Sequence, residues 1–108
     1  MKVFVFDLLA YGQHFENFKR DKFIPYPLPG EHWDPKIGAL TYQQHLEAWE
    51  EMDRLGFDGV GLNEHHTTPH GLMISPNMMA AAASQRTKKL KFLILGNLLP
   101  IHNPLRIA

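Results

Sequence analysis

Between Lys2 and Leu9 the chain is almost continuously apolar and rich in Val and Phe, the pattern of a strand buried on both faces of a parallel sheet. From Tyr11 to Leu40 the periodicity vanishes, and Pro25, Pro27, Pro29, Gly30 and Pro35 fall close together with Tyr26 and Trp33. A loop this long is uncommon unless functional; its aromatics would either line a substrate entrance or pack an insertion onto the surface. Helical spacing begins at Thr41, an N-cap candidate with Gln44 three residues on, and continues through Tyr42, Leu46, Trp49, Met52 and Leu55 along one face. Gly56 is placed to end that helix. FDGVGLN follows as a second strand, where Gly59 and Gly61 alternate with Val60 and Leu62. On the glycine side either the helices outside the sheet pack tightly, or a backbone or ligand approaches.

After the loop EHHTTPHGLMI, Ser75 as N-cap and Pro76 as first residue open a helix that runs through Met78, Met79 and four alanines to about Lys88. Leu90 to Leu95 is the third strand, and Asn103 with Pro104 starts a further helix. This alternation is the grammar of βαβ units in a parallel α/β sheet. The expected fold is therefore the first three βα units of a (β/α)8 TIM barrel, incomplete as given, since such a barrel takes about 250 residues. Open sheet edges and a last helix of one turn make residues 1–108 the expected N-terminal part of a larger, single barrel domain.

Charge narrows the function classes: 11 Lys and Arg balance 11 Asp and Glu, which excludes an electrostatically driven nucleic-acid binder. With 44% hydrophobic and 20% charged residues, the composition is that of an ordinary globular domain. Cysteine is absent, so there is no thiolate metal cage or cysteine nucleophile, and a cytoplasmic location is the expectation. The first apolar run is broken by Asp7, far short of the roughly 20 residues of a membrane span, and no cleavage site for a signal peptide follows it. Neither a membrane nor a nucleic-acid partner is expected.

In parallel sheets ligands bind beyond the carboxyl ends of the strands. The residues to inspect are therefore Asp7 to Tyr11, Asn63 to His66, and Leu95 to Asn97, with Pro100 and His102 slightly further out. Glu64, His65 and His66 are the sharpest feature, because neutral imidazole takes a proton near pH 7 and a neighbouring carboxylate can fix its tautomer. Adjacent residues in extended chain point to opposite sides, so one histidine would face the site and the other support it. The alternative is a hydrogen-bonded structural pair at a loop start. A metal site would need three converging ligands, drawn from His65 or His66 with His70, His102 and Asp7, yet no recognised ligand spacing is present and the expectation is no metal.

Other candidates carry less. His14 and His32 lie in the irregular stretch, and His45 falls inside the first helix with Glu47 and Glu50 on what reads as a solvated face. Met73, Met78 and Met79 read as core filler, and Lys88, Lys89 and Lys91 as cations complementing a helix C-terminus. G-x-G-x-x-G, P-loop and G-x-S-x-G motifs are all missing.

GFDGVGLNEHHTTPHGL, followed by SPNMMAAAASQRTKKLKFLILGNLLPIHNPLRIA, resembles the N-terminal segment of the bacterial luciferase-like, flavin-dependent monooxygenases. The likeness extends to MKVFVFDLL at the start and is weakest around residues 20 to 40; its specific parts are E-H-H after the second strand and H-x-P-x-R, here His102 to Arg106. The resemblance implies a (β/α)8 barrel that uses reduced FMN and O2 to oxidise a small organic substrate; some relatives use the deazaflavin F420 in place of FMN. Carried over by position, His65 matches the family's catalytic base, and Glu64 and His66 match flanking residues that shape the site. Leu95 and Gly96 match the place where the family holds a non-proline cis peptide beneath the flavin ring, and Asn97 could present an amide to flavin or substrate. A homodimer is implied for the full-length protein, and a flavin reductase is a further partner the resemblance allows. The family's phosphate-binding elements come from later strands, so the 108 residues alone are expected to show no turnover. Two other classes compete: a metal-dependent hydrolase of barrel fold using His65, His66 and His102, and a non-catalytic flavin-binding or assembly fragment.

Overall fold

The computed structural model describes residues 1–11, 27 and 29–107. Three parallel strands, β1 (Phe4–Asp7), β2 (Gly59–Leu62) and β3 (Lys91–Ile94), lie side by side in that order. Val5, Val60 and Phe92 form one row across the sheet, and Asp7, Leu62 and Ile94 another. These rows face the helices α1 (Pro35–Leu55) and α2 (Pro76–Ser84), with Trp49, Val60, Leu62, Ala83 and Leu90 buried between the layers. Full burial of a side chain the size of Leu62 contributes about 1.5–3 kcal/mol.

α1 begins six residues before the expected Thr41. Asp34 is the N-cap, its carboxylate accepting from the Lys36 N–H at 2.8 Å, and Pro35 is pre-set for the first turn. Thr41 is buried inside the helix and donates its hydroxyl to the Ile37 carbonyl at 2.8 Å. Gly56, at φ 84°, ends the helix as expected, in a conformation that costs a glycine nothing. The early start also shortens the supposed loop: residues 30–32 form a 3-10 turn, and Trp33 stacks on Tyr11 with centroids 4.9 Å apart. Pro25, Tyr26 and His14 lie outside the described residues.

α2 starts at Ser75 and Pro76 as expected, the Ser75 hydroxyl accepting from the Met78 N–H at 3.4 Å. It stops at Ser84, short of Lys88. Asp53 of α1 captures the backbone N–H groups of Lys88, Lys89 and Leu90 at 2.9, 2.8 and 2.6 Å, which pulls the chain out of the helix and into β3. Met73 is core, as expected, whereas Met78 is exposed. A last short helix, α3 (Pro104–Ile107), opens on Asn103, whose side-chain oxygen accepts from the Leu105 N–H at 2.9 Å.

Only β2 is buried at every position; β1 and β3 alternate. Phe4 and Phe6 of β1 stand out on the side away from the helices, Phe6 being 57% exposed, as expected of three strands of an incomplete barrel. Gly59 and Gly61 share that side, so the helices do not pack on them. A Cβ on Gly59 would meet the Lys91 carbonyl at 2.5 Å and the Phe4 ring at 2.6 Å, and one on Gly61 would meet Leu95 Cδ1 at 2.6 Å. The glycines thus let flanking strands lay their own side chains across β2, leaving an apolar face of Phe4, Phe6, Leu93 and Leu95.

Candidate functional site

The loop after β2 is tied to the end of β1 by backbone bonds, from Leu72 N–H to the Leu9 carbonyl and from Tyr11 N–H to that of Pro69, both 2.9 Å. Leu9 is fully buried at φ 51°, a left-handed conformation costing a non-glycine residue about 1–2 kcal/mol. Its N–H is held by Asp7 Oδ1 at 2.8 Å. Gly71 is required here, since a Cβ would stand 2.8 Å from the Leu8 carbonyl and 3.1 Å from His65 Cβ and Cγ. His65 is fixed from the other side by its N–H to the Met73 carbonyl at 3.0 Å.

Glu64 and His65 diverge, as neighbours in extended chain must. The Glu64 side chain is wholly buried and accepts from His66 Nε2 at 2.7 Å, His102 Nε2 at 2.8 Å and the Leu98 N–H at 2.9 Å. Burial pushes its pKa up, but the hydrogen bonds from His66, Leu98 and His102, with the His102 charge, outweigh that and hold it at about 2. Glu64 is therefore an enclosed acceptor that is ionised at neutral pH, and both histidines must turn an N–H toward it. His65 instead places Nδ1 2.8 Å from Asn63 Nδ2. Asn63 Oδ1 is buried, and among the described residues no hydrogen-bond partner reaches it.

At the end of β3, the Leu95 N–H donates to the Leu62 carbonyl at 2.8 Å while the Leu95 side chain is 59% exposed. A Cβ on Gly96 would meet nothing within 4 Å, so the backbone there borders open space. Asn97 Oδ1 accepts from Asn77 Nδ2 at 3.1 Å, which ties this corner to the start of α2.

Asp7 turns to the helix side and accepts from His45 Nδ1 and Trp49 Nε1, each at 2.7 Å. Burial raises its pKa, but the His45 and Leu9 hydrogen bonds, the His45 charge and the Trp49 bond leave it lowered. The expectation that His45 sits on a solvated face is therefore corrected: it clamps α1 to β1. Among the described residues no three His, Asp or Glu side chains are placed to hold a metal ion. His66 and His102 are spent on Glu64, so the hydrolase set of His65, His66 and His102 does not converge. Sequence reasoning placed Asp7 and Asn63 among the strand-end residues to inspect but missed the Asn63–His65 contact, Gly71 and the Asp7 clamp; of these only the Asn63–His65 contact had a local signal, the two-residue spacing on one side of extended chain.

Comparison with known proteins decides the family, because residues 23–108 match the one described as luciferase-like monooxygenase. The chain belongs to the luciferase-like monooxygenases. The match starts after β1, so MKVFVFDLL lies outside it. Among luciferase-like relatives, limonene 1,2-monooxygenase of Rhodococcus erythropolis is 36% identical over 93 residues, 86% of this chain and 24% of its own length. The alkanal monooxygenase alpha chain of Aliivibrio fischeri is 36% identical over 83 residues, 75% of this chain and 22% of its own. An uncharacterized protein of Sinorhizobium fredii is 41% identical over 73 residues, 68% and 21%. The chain thus spans about a quarter or less of the length of the curated relatives it matches. No solved structure matches it. Among the described residues no helix is long and apolar enough to cross a membrane.

Proposed function

We propose that the chain supplies the first three βα units of a (β/α)8-barrel monooxygenase that uses reduced FMN, or F420 in its place, and O2 to oxidise a small organic substrate. The observation that carries the reading is the open corner at Leu95 and Gly96, where a Cβ on Gly96 would meet nothing within 4 Å. An exposed leucine and a glycine with space above it fit the apolar face of a flat heteroaromatic ring. When bound, the reduced flavin supplies the electrons with which O2 is cleaved, one oxygen atom going to the substrate and the other to water.

The protein's part is to position and to move protons. His65 acts as the base, Leu95, Gly96 and Asn97 hold the ring, and Glu64 positions His66 and His102 at its rim. The Phe6 and Leu95 face excludes water from the reacting centre once the remaining barrel closes over it. The full-length protein acts as a cytoplasmic homodimer, with a flavin reductase as a source of reduced flavin, and the 108 residues alone give no turnover. The test is flavin binding and 18O incorporation from 18O2 by the full-length protein, with candidate apolar substrates and each reduced flavin. Binding of FMN or F420 with one labelled oxygen in product is expected; a protein that binds neither overturns the reading.

A further inference from the structure

We propose that Asp7 is a positioning residue for His65: it grips the peptide between Leu8 and Leu9 by its N–H and so aims the carbonyl that seats Gly71 against the base. This rests on the reading of His65 as a base and needs no cofactor. Asp7 lies at the end of β1 and His65 beyond the end of β2, and their side chains are bonded to different partners, Asp7 to His45 and Trp49, His65 to Asn63.

The link between them is a single peptide unit. Asp7 Oδ1 accepts from the Leu9 N–H at 2.8 Å, the turn that an aspartate makes with the residue two positions on. In a planar trans peptide the N–H and C=O of one unit point in opposite directions, so holding the Leu9 N–H on one side directs the Leu8 carbonyl to the other. That carbonyl stands 2.8 Å from the place a Cβ on Gly71 would occupy, and His65 Cβ and Cγ lie 3.1 Å from the same place. Gly71 is wedged between the Leu8 carbonyl and the root of the His65 ring, with room for a hydrogen and nothing larger. Leu9 is wholly buried at φ 51°, a left-handed conformation that leucine disfavours without such a bond. The same turn brings the Leu9 carbonyl to the Leu72 N–H, 2.9 Å away and next in the chain to Gly71.

The grip is itself held. Asp7 Oδ2 accepts from His45 Nδ1 and Trp49 Nε1, both at 2.7 Å, so α1 fixes the carboxylate. The loop after β2 has other ties that outlast the carboxylate: the Tyr11 N–H to the Pro69 carbonyl at 2.9 Å, the His65 N–H to the Met73 carbonyl at 3.0 Å, and the Tyr42 hydroxyl to the Leu72 carbonyl. Removing Asp7 therefore lets the peptide between Leu8 and Leu9 rotate without releasing the loop, and the seat of His65 shifts. A displacement of about 1 Å in a reacting group costs as much as about 100-fold in rate.

The experiment compares Asp7→Ala, Asp7→Ser, Trp49→Phe and Gly71→Ala in the full-length protein. Alanine removes both bonds of the carboxylate. Serine is too short to reach α1 but keeps the turn, because its hydroxyl also accepts from the N–H two residues on; Trp49→Phe keeps the turn and loses a bond from α1. The first readout is the nuclear Overhauser effect between Gly71 Hα and His65 Hβ, in protein labelled at glycine and histidine only. It is expected at wild-type strength in Asp7→Ser and Trp49→Phe and severalfold weaker in Asp7→Ala, although all three melt at a lower temperature than wild type. The second is the single-turnover rate with pre-reduced FMN and the substrate that 18O incorporation identifies, expected to fall about 10- to 100-fold in Asp7→Ala and Gly71→Ala with flavin affinity unchanged, and to recover in Asp7→Ser. A wild-type Overhauser effect in folded Asp7→Ala, or a loss in Asp7→Ser as large as in Asp7→Ala, overturns the proposal. Should Asp7→Ala not fold, Gly71→Ala decides, and a wild-type rate in that variant overturns it. Wild-type turnover in His65→Ala, or no turnover in any form of the protein, overturns the base reading instead; the seating of His65 by Asp7 is then judged on the Overhauser effect alone.

Discussion

His102 Nε2 stands 2.8 Å from both carboxylate oxygens of Glu64, a residue 38 positions earlier in the chain. With the Leu98 N–H on the same carboxylate, this fastens the segment after β3 to the end of β2 and frames the Leu95 to Asn97 corner between them. The buried charge is compensated by three donors from two strand ends, which is how an ionised glutamate persists in a core.

Glu64→Gln keeps the shape and removes the charge that both histidines address. It is expected to destabilise the full-length protein by about 1–3 kcal/mol, read as a lower melting temperature. An unchanged melting temperature would show that the carboxylate is not what holds the two strand ends together.

Acid should act through the same residue. The folded pKa of Glu64, about 2, lies below its ordinary 4.5, so the unfolded chain binds the proton more readily. Its contribution is complete above about pH 4.5 and is lost as the pH falls toward 2. Asp7, also lowered, works in the same direction. Denaturant unfolding across that window should show stability falling steeply in the wild type and less steeply in Glu64→Gln; equal slopes would place the acid lability elsewhere.

Two glycines on the open face should respond differently to alanine. Gly59→Ala drives a Cβ against the Lys91 carbonyl at 2.5 Å, a backbone atom that cannot swing away, and should cost about 1–3 kcal/mol or more. Gly96→Ala meets nothing and should leave stability within about 0.5 kcal/mol, while weakening FMN binding. Chemical denaturation and flavin titration of both variants check the contrast, which fails if Gly96→Ala binds FMN as the wild type does.

His65→Ala should lower turnover of the full-length enzyme by about 10²–10⁴-fold, the usual contribution of a positioned base, with flavin affinity changed little. Single-turnover kinetics with pre-reduced flavin would read this directly, and wild-type rates in the variant would remove His65 from the chemistry.

What the sequence determined by itself is local or periodic. Ser75 with Pro76 and Asn103 with Pro104 mark helix starts because a capping side chain and a fixed φ act within one turn. Asp34 with Pro35 is the same signal, hidden in the proline-rich stretch, where irregular composition argued against a helix. The glycine alternation of β2 and the E-H-H motif were legible for the same reason, each being a run of neighbours. Only the tertiary structure decided that Asp7 is claimed by His45 and Trp49, that Asp53 ends α2, that β1 leaves its phenylalanines uncovered, and that His102 reaches Glu64 while His65 turns to Asn63. Most of these pairings join residues more than thirty positions apart, and a hydrogen bond needs its partners within about 3 Å, a precision that no period of 2 or 3.6 along the chain carries.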